Sequence, residues 1–267
     1  MLEIKQLSVE GKNKKKLLKK IDLTVRPGEY IGLTGSSGAG KTTLIKSVMG
    51  ILDHTCKIVS GSIMLDGAAL TDLTAKERRK LCGTILGFIP QNPITAFDRH
   101  IKIGKLMAET YRIRLSMSQK EAEELAAETL KAVNLTDVKR IKDSYPGQLS
   151  GGMLQRVTVA ILWGLRPRYI LADEPTSALD EKNRDILLEL LKENPEKAGI
   201  VFLSHDAKAL KTLCRQIMVM EKGTIIENQS TEELFRNPAN EWTKKFVVSA
   251  NIEEGGEWIW KELKYPM

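Results

Sequence analysis

Gly35-Ser36-Ser37-Gly38-Ala39-Gly40-Lys41-Thr42, with Thr43 following, fits G-x-x-x-x-G-K-[ST]. Its glycines let the backbone wrap closely, so that successive N–H groups face phosphate oxygens at the start of a helix. Lys41 is expected to reach the β- and γ-phosphates of a nucleotide, and the Thr42 hydroxyl to ligate Mg²⁺. Downstream, Tyr169-Ile170-Leu171-Ala172 carries Asp173 and Glu174 to the end of an apolar strand, where α/β sheets bind ligands. Asp173 is placed to hold Mg²⁺ through water, and Glu174 to polarise an attacking water as a general base. Between these motifs lies Leu149-Ser150-Gly151-Gly152. Two glycines beside a serine at a helix N-terminus present N–H groups and a dipole to an anion, which makes a second phosphate site. One chain cannot easily fold both sites onto one nucleotide, so the second is expected to serve another subunit.

The elements that position these groups follow from periodicity. Leu2, Ile4, Leu7 and Val9, then Ile21, Leu23 and Val25, alternate as an antiparallel pair (Leu2 to Val9, Leu17 to Val25). Pro27-Gly28 turns into a strand from Tyr30 to Leu33, and Lys41 to Met49 reads as a helix ending near Gly50. Short strands are expected at Ser62 to Leu65, before the turn pair Asp66-Gly67, and at Thr84 to Ile89. Ser118 and Glu121 have capping-box spacing ahead of a helical stripe from Ala122 to Val133, and a further helix should run from Gly152 to Trp163. Strands return at Tyr169 to Ala172, Ile200 to Leu203, Ile217 to Met220 and Thr224 to Ile226. The expected fold is α/β, a P-loop (RecA-like), mostly parallel sheet with an N-terminal antiparallel β addition and an inserted α-helical subdomain. The expected organisation is one domain over 1–267. Its nucleotide-binding core spans 1–91 and 165–245, its helical insertion 92–164, and its tail 246–267.

Composition agrees with a globular chain: 267 residues, 42% hydrophobic and 28% charged. No apolar run approaches the roughly 18 residues a membrane span needs, and the first residues lack the order of a signal peptide. Three dispersed cysteines, Cys56, Cys82 and Cys214, suit a reducing compartment. The net charge of +7 owes much to Lys12-Asn13-Lys14-Lys15-Lys16 and Lys19-Lys20. That run reads as a solvated hairpin tip or as a contact for anionic lipid or nucleic acid; no aromatics interleave with it as base stacking would require. His54 and Cys56 are too few to specify a metal site. Trp258 and Trp260 could cover the domain's own surface or anchor a partner.

In order, the chain shows the phosphate loop, Gln91 after a strand, LSGG at 149–152, Asp173-Glu174-Pro175, Ser177-Ala178-Leu179-Asp180, and His205 after the strand Ile200 to Leu203. This set resembles the ATP-binding cassette (ABC) ATPases over about 240 residues. The resemblance implies ATP hydrolysis with Mg²⁺ at a site shared by two subunits. It implies that Gln91 senses Mg²⁺ and the lytic water, and that Ser150, Gly151 and Gly152 meet the γ-phosphate of the opposite subunit. It further implies that Asp180 couples the two sites and that His205 is the switch histidine. Two departures stand out. Many members place an adenine-stacking aromatic where Ser8-Val9-Glu10-Gly11 stands here, and Gln148 precedes LSGG where many relatives carry another polar or charged residue.

Ile89-Pro90-Gln91-Asn92-Pro93, Ala96-Phe97-Asp98, Tyr145-Pro146 before LSGGMLQR, and Phe235-Arg236-Asn237-Pro238 with Trp242-Thr243 resemble the peptide and nickel importer group, and its D-type ATPase in particular. This implies a peripheral subunit on the cytoplasmic face of the cell membrane. Its partners would be a second, non-identical ABC ATPase subunit, two transmembrane permease subunits and, indirectly, an extracytoplasmic substrate-binding protein. Nucleic acid is not among the expected partners. Peptides, nickel and metal–chelate complexes are all open as cargo. No cysteine follows Cys214, so the C-terminal iron–sulfur cluster of many relatives is not expected. The alternative is a non-transport ABC ATPase acting on nucleic acid or the ribosome.

Overall fold

The computed structural model describes residues 1–253; the Trp258 and Trp260 tail lies outside the described residues. Alternation near the N-terminus builds a four-stranded antiparallel sheet from β1 (Leu2–Glu10), β2 (Lys16–Val25), β4 (Lys57–Leu65) and β5 (Ala68–Ala69), in the order β2-β1-β4-β5. The lysine run forms the tip between β1 and β2. The main sheet comprises β3 (Tyr30–Gly35), β6 (Leu86–Ile89), β7 (Tyr169–Asp173), β8 (Gly199–Leu203), β9 (Gln216–Glu221) and β10 (Thr224–Ser230). Its order is β10-β9-β3-β8-β7-β6, parallel throughout except for the antiparallel edge strand β10.

The parallel strands read as unbroken apolar runs because both faces are covered. Tyr169, Leu171, Val201 and Leu203 enter one core with the antiparallel sheet and α1 (Lys41–Met49). Their neighbours Ile170, Ala172, Ile200 and Phe202 enter a second core. That second core receives side chains of α3 (Ile103–Leu115), α4 (Gln119–Ala132), α5 (Val138–Asp143), α6 (Gly151–Leu165), α7 (Glu181–Glu193), α8 (Ala207–Leu213), α9 (Thr231–Arg236) and α10 (Glu241–Glu253). The phosphate-loop helix is therefore clamped between two sheets, and the LSGG helix leaves from the opposite face.

Three departures from the periodic reading have local reasons. β4 starts at Lys57 rather than Ser62: Gly61 (φ 85°) faces a bulge at Gln6 (φ 49°), and a Cβ on Gly61 would lie 2.4 Å from Gln6 O. The bulge interrupts the alternation by which a strand is recognised. β6 starts at Leu86 rather than Thr84, because a turn at Gly83 (φ 94°), closed by its N–H to Leu86 O, precedes the strand. A seven-residue helix, α2 (Ala75–Leu81), is too short for a periodic stripe, yet Thr74 and Glu77 form a capping box before it. The capping box at Ser118 and Glu121 forms as its spacing predicts, and α1 ends on left-handed Gly50.

Candidate functional site

The phosphate loop links β3 to α1 and lies against two neighbouring segments. Ala39 O accepts from Gly223 N–H at 3.0 Å, while Lys19 N–H donates to Gly223 O at 2.8 Å. Gly35 (φ 141°) passes so close to β9 that a Cβ there would lie 2.0 Å from Met220 O. Gly35→Ala is accordingly expected to cost about 2–4 kcal/mol, from backbone strain and overpacking together, and a chemical denaturation curve measures it.

Lys41 is only 6% exposed, and its ammonium donates to Gly35 O (2.9 Å) and Ser36 O (3.2 Å). Burial lowers its pKa, opposed by the negative charges of Glu174 and Asp173. Thr42 Oγ1 donates to Asp173 Oδ1 at 3.4 Å, which joins the first turn of α1 to the end of β7. Burial and then the Glu174 carboxylate raise the Asp173 pKa, while Thr42, Lys41 and Lys46 oppose the rise. A hydroxyl beside a half-buried carboxylate, both with hard oxygen donors, is a fit for Mg²⁺.

Glu174 is a non-glycine residue in the left-handed region (φ 47°), held by its N–H to Leu203 O at 3.0 Å. Such a conformation persists only where the surroundings impose it. Its carboxylate is gripped from two sides: Gln91 Nε2 donates to Oε2 at 3.3 Å, and His205 Nε2 lies 3.0 Å from Oε1. Gln91 also reaches Ser177 Oγ at 3.3 Å. Burial, then the Lys41 charge, lowers the His205 pKa against the opposing pull of Glu174. The imidazole is thus neutral at neutral pH, with Nε2–H as donor. A depressed imidazole pKa gives stability that is full above the unfolded value of about 6.5 and is lost as pH falls below it. His205→Gln is expected to flatten the loss of thermal stability between about pH 7 and 5, measured as Tm against pH.

Lys41, Thr42, Thr43, Glu174 and His205 line one cavity of about 600 Å³ with Ser37, Gly38, Ala39 and Gly40. Ser150, Gly151, Gly152 and Asp180 do not line it. They gather at a separate place: Ser150 caps α6 by accepting from Met153 N–H (3.2 Å), and Asp180 caps α7 by accepting from Asn183 N–H (2.8 Å). Asn183 joins the two. Its amide donates to both Asp180 carboxylate oxygens (3.1 and 2.9 Å), and a Cβ on Gly152 would lie 2.6 Å from Asn183 Cγ. Gly152 therefore has a packing reason to be glycine, whereas Gly151 faces open space.

Sequence reasoning gives no role to three residues around these groups. Asn183 has no motif of its own. The buried Gln155 donates to Pro90 O at 3.2 Å and so ties α6 to the residue preceding Gln91. Gln148 accepts from Tyr145 N–H at 2.8 Å and closes the turn that delivers LSGG. For Gln148 a signal existed: it stands at the end of a Tyr-Pro-Gly-Gln turn.

A family model described as "ABC transporter" matches residues 18–177. The chain belongs to the ABC transporter family. It is an ABC ATPase, and ATP is its nucleotide. It is 36% identical over 255 residues to the oligopeptide transport ATP-binding protein OppD of Lactococcus lactis, covering 93% of this chain and 75% of that one. It is 34% identical over 247 residues to the metal-staphylopine import system ATP-binding protein CntD of Staphylococcus aureus, covering 91% of each. Among solved structures it resembles the dimeric post-hydrolysis cassette MJ0796 bound to ADP and Pi, with a TM-score of 0.76 and 26% identity over 86% of this ABC ATPase and 99% of that chain. The relatives are named for oligopeptide transport and metal-staphylopine import, which does not favour action on nucleic acid or the ribosome. No described helix of the ABC ATPase is long and apolar enough to cross a membrane.

Proposed function

We propose that this ABC ATPase works on the cytoplasmic face of the cell membrane and energises uptake of peptides, nickel or metal–chelate complexes. It pairs with a second, non-identical ABC ATPase subunit and docks on two transmembrane permeases, which receive cargo from an extracytoplasmic binding protein. The similarity to peptide and metal-chelate import subunits along more than nine-tenths of the chain carries this reading. The residues between Gln91 and His100 are the proposed permease contact: they adjoin Gln91, and Ile94 there is 46% exposed.

In the proposed mechanism the loop from Gly35 to Thr43 binds the ATP phosphates, and Lys41 exchanges its carbonyl partners for phosphate oxygens. Thr42, Asp173 and Gln91 would hold Mg²⁺, which neutralises phosphate charge when bound. Glu174 takes a proton from the water that attacks the γ-phosphorus, the bond to the ADP oxygen breaks, and ADP and phosphate leave. His205 and Gln91 orient the Glu174 carboxylate. Ser150, Gly151 and Gly152 close on the nucleotide of the opposite subunit, with Asp180 beside them through Asn183. Affinity purification of the tagged chain from detergent-solubilised membranes of its own host tests the reading. Two permeases and a second ATPase are the expected co-purifying proteins; recovery with ribosomes or nucleic acid instead would overturn it.

A further inference from the structure

Helices α7 and α8 are laced together by charge. Arg184 on α7 spreads its guanidinium over three carboxylates: Nη2 donates to Glu181 Oε1 at 3.2 Å, Nε donates to Asp185 Oδ1 at 3.3 Å, and Nη1 lies 3.6 Å from Asp206 Oδ2. Lys208 returns the link from α8, with its ammonium 3.5 Å from Glu181 and 3.4 Å from Asp185. Glu181 and Asp185 belong to α7, so the Asp206 contact is the arm of Arg184 that leaves its own helix. The two oxygens of Asp206 divide their partners, for Oδ1 caps α8 by accepting from Ala209 N–H at 3.0 Å. Asp206 N–H donates to Ser204 Oγ at 2.9 Å, and Ser204 N–H donates to Leu33 O at 3.2 Å. The backbone of His205 is thus held on both sides, while its side chain is 44% exposed and reaches Glu174 at 3.0 Å. At that exposure packing does not fix the imidazole, and its aim follows the backbone at 204–206.

We propose that Arg184 is a positioning residue for His205: by holding Asp206 Oδ2 it fixes the first turn of α8, and with it the direction from which the imidazole meets Glu174. The proposal rests on the roles given above to His205 and Glu174 in ATP hydrolysis and deepens them. Arginine suits the task because its planar fork meets several carboxylates in fixed directions, where a lysine ammonium is a point charge. Arg184 and Asp206 are both partly buried, so water and salt screen the pair less than a fully exposed one. At its other end α7 is capped by Asp180, and Arg184 N–H donates to Asp180 O at 2.9 Å. His205 is therefore held from the helix that packs Asn183 against Gly152.

The test compares Arg184→Gln, Asp206→Asn and the double variant, each in the full chain purified with the subunits it assembles with. Asparagine still caps a helix, so Asp206→Asn removes the charge and keeps the cap. Each single variant is expected to lower kcat about 3–10-fold with ATP affinity unchanged, and the double variant to lower it no further than either, because both remove the same link. Arg184→Lys, which keeps the charge, is expected to recover part of the loss. Nitrogen NMR of the full chain with isotope-labelled histidine rings reads the imidazole itself. Of the three histidines, His205 is expected to shift in Arg184→Gln while His54 and His100 stay in place. An unmoved His205 signal beside a lowered Tm would reduce Arg184 to a structural tie and overturn the proposal, as would losses that multiply in the double variant. Unchanged turnover in His205→Gln would overturn the role given to His205 itself, and the proposal with it.

Discussion

Glu174→Gln is expected to lower ATP turnover by about 10²–10⁴-fold while leaving ATP binding intact, measured as phosphate release and as nucleotide affinity on the same preparation. The amide keeps the size and planarity of the carboxylate, so its oxygen can still accept from Gln91 or His205. The left-handed backbone at residue 174 is set by the bond to Leu203 and is unaffected by the exchange. What disappears is the group that can take a proton. Turnover near that of the unaltered protein would mean that the base lies elsewhere.

Lys41→Met is expected to act on binding instead, weakening ATP by about 30–4,000-fold, since truncating a buried charged partner of an anion costs about 2–5 kcal/mol. Methionine fills a similar volume, so the fold tolerates it. Lys41 is nearly buried and already close to Gly35 and Ser36. Isothermal titration separates the two variants: Glu174→Gln binds and does not turn over, Lys41→Met does not bind at working concentrations.

The phosphate loop and the β7 carboxylates were readable from sequence because each is a short contiguous motif whose spacing follows from local geometry: a glycine turn entering a helix, and an apolar strand ending in acids. Gln91, Asp180 and His205 were readable only as an ordered set, since a lone glutamine or histidine has no periodic signature. The structure supplies the reason Gln91 and His205 travel together, for they hold opposite oxygens of Glu174. Asn183 and Gln155 were not readable, because their roles arise from packing between helices distant in sequence: α7 against Gly152, and α6 against Pro90. The full length of β4 was hidden by the bulge opposite Gly61, which breaks alternation while preserving pairing. The cavity wall at Leu17 and Lys222 combines two strand ends that only the fold brings together.

The central claim is that the LSGG segment serves the nucleotide of another subunit and not its own. Ser150→Asp tests it most directly, because aspartate still caps α6 but sets a negative charge against an incoming triphosphate. The measurement is the mass of the Glu174→Gln protein, 29.9 kDa as a single chain, by light scattering with and without ATP in the presence of its partner cassette. With Ser150→Asp added, the single chain is expected to bind ATP with unchanged affinity while ATP-driven pairing disappears. Loss of ATP affinity in the isolated chain, or pairing that persists undiminished, would contradict the shared site.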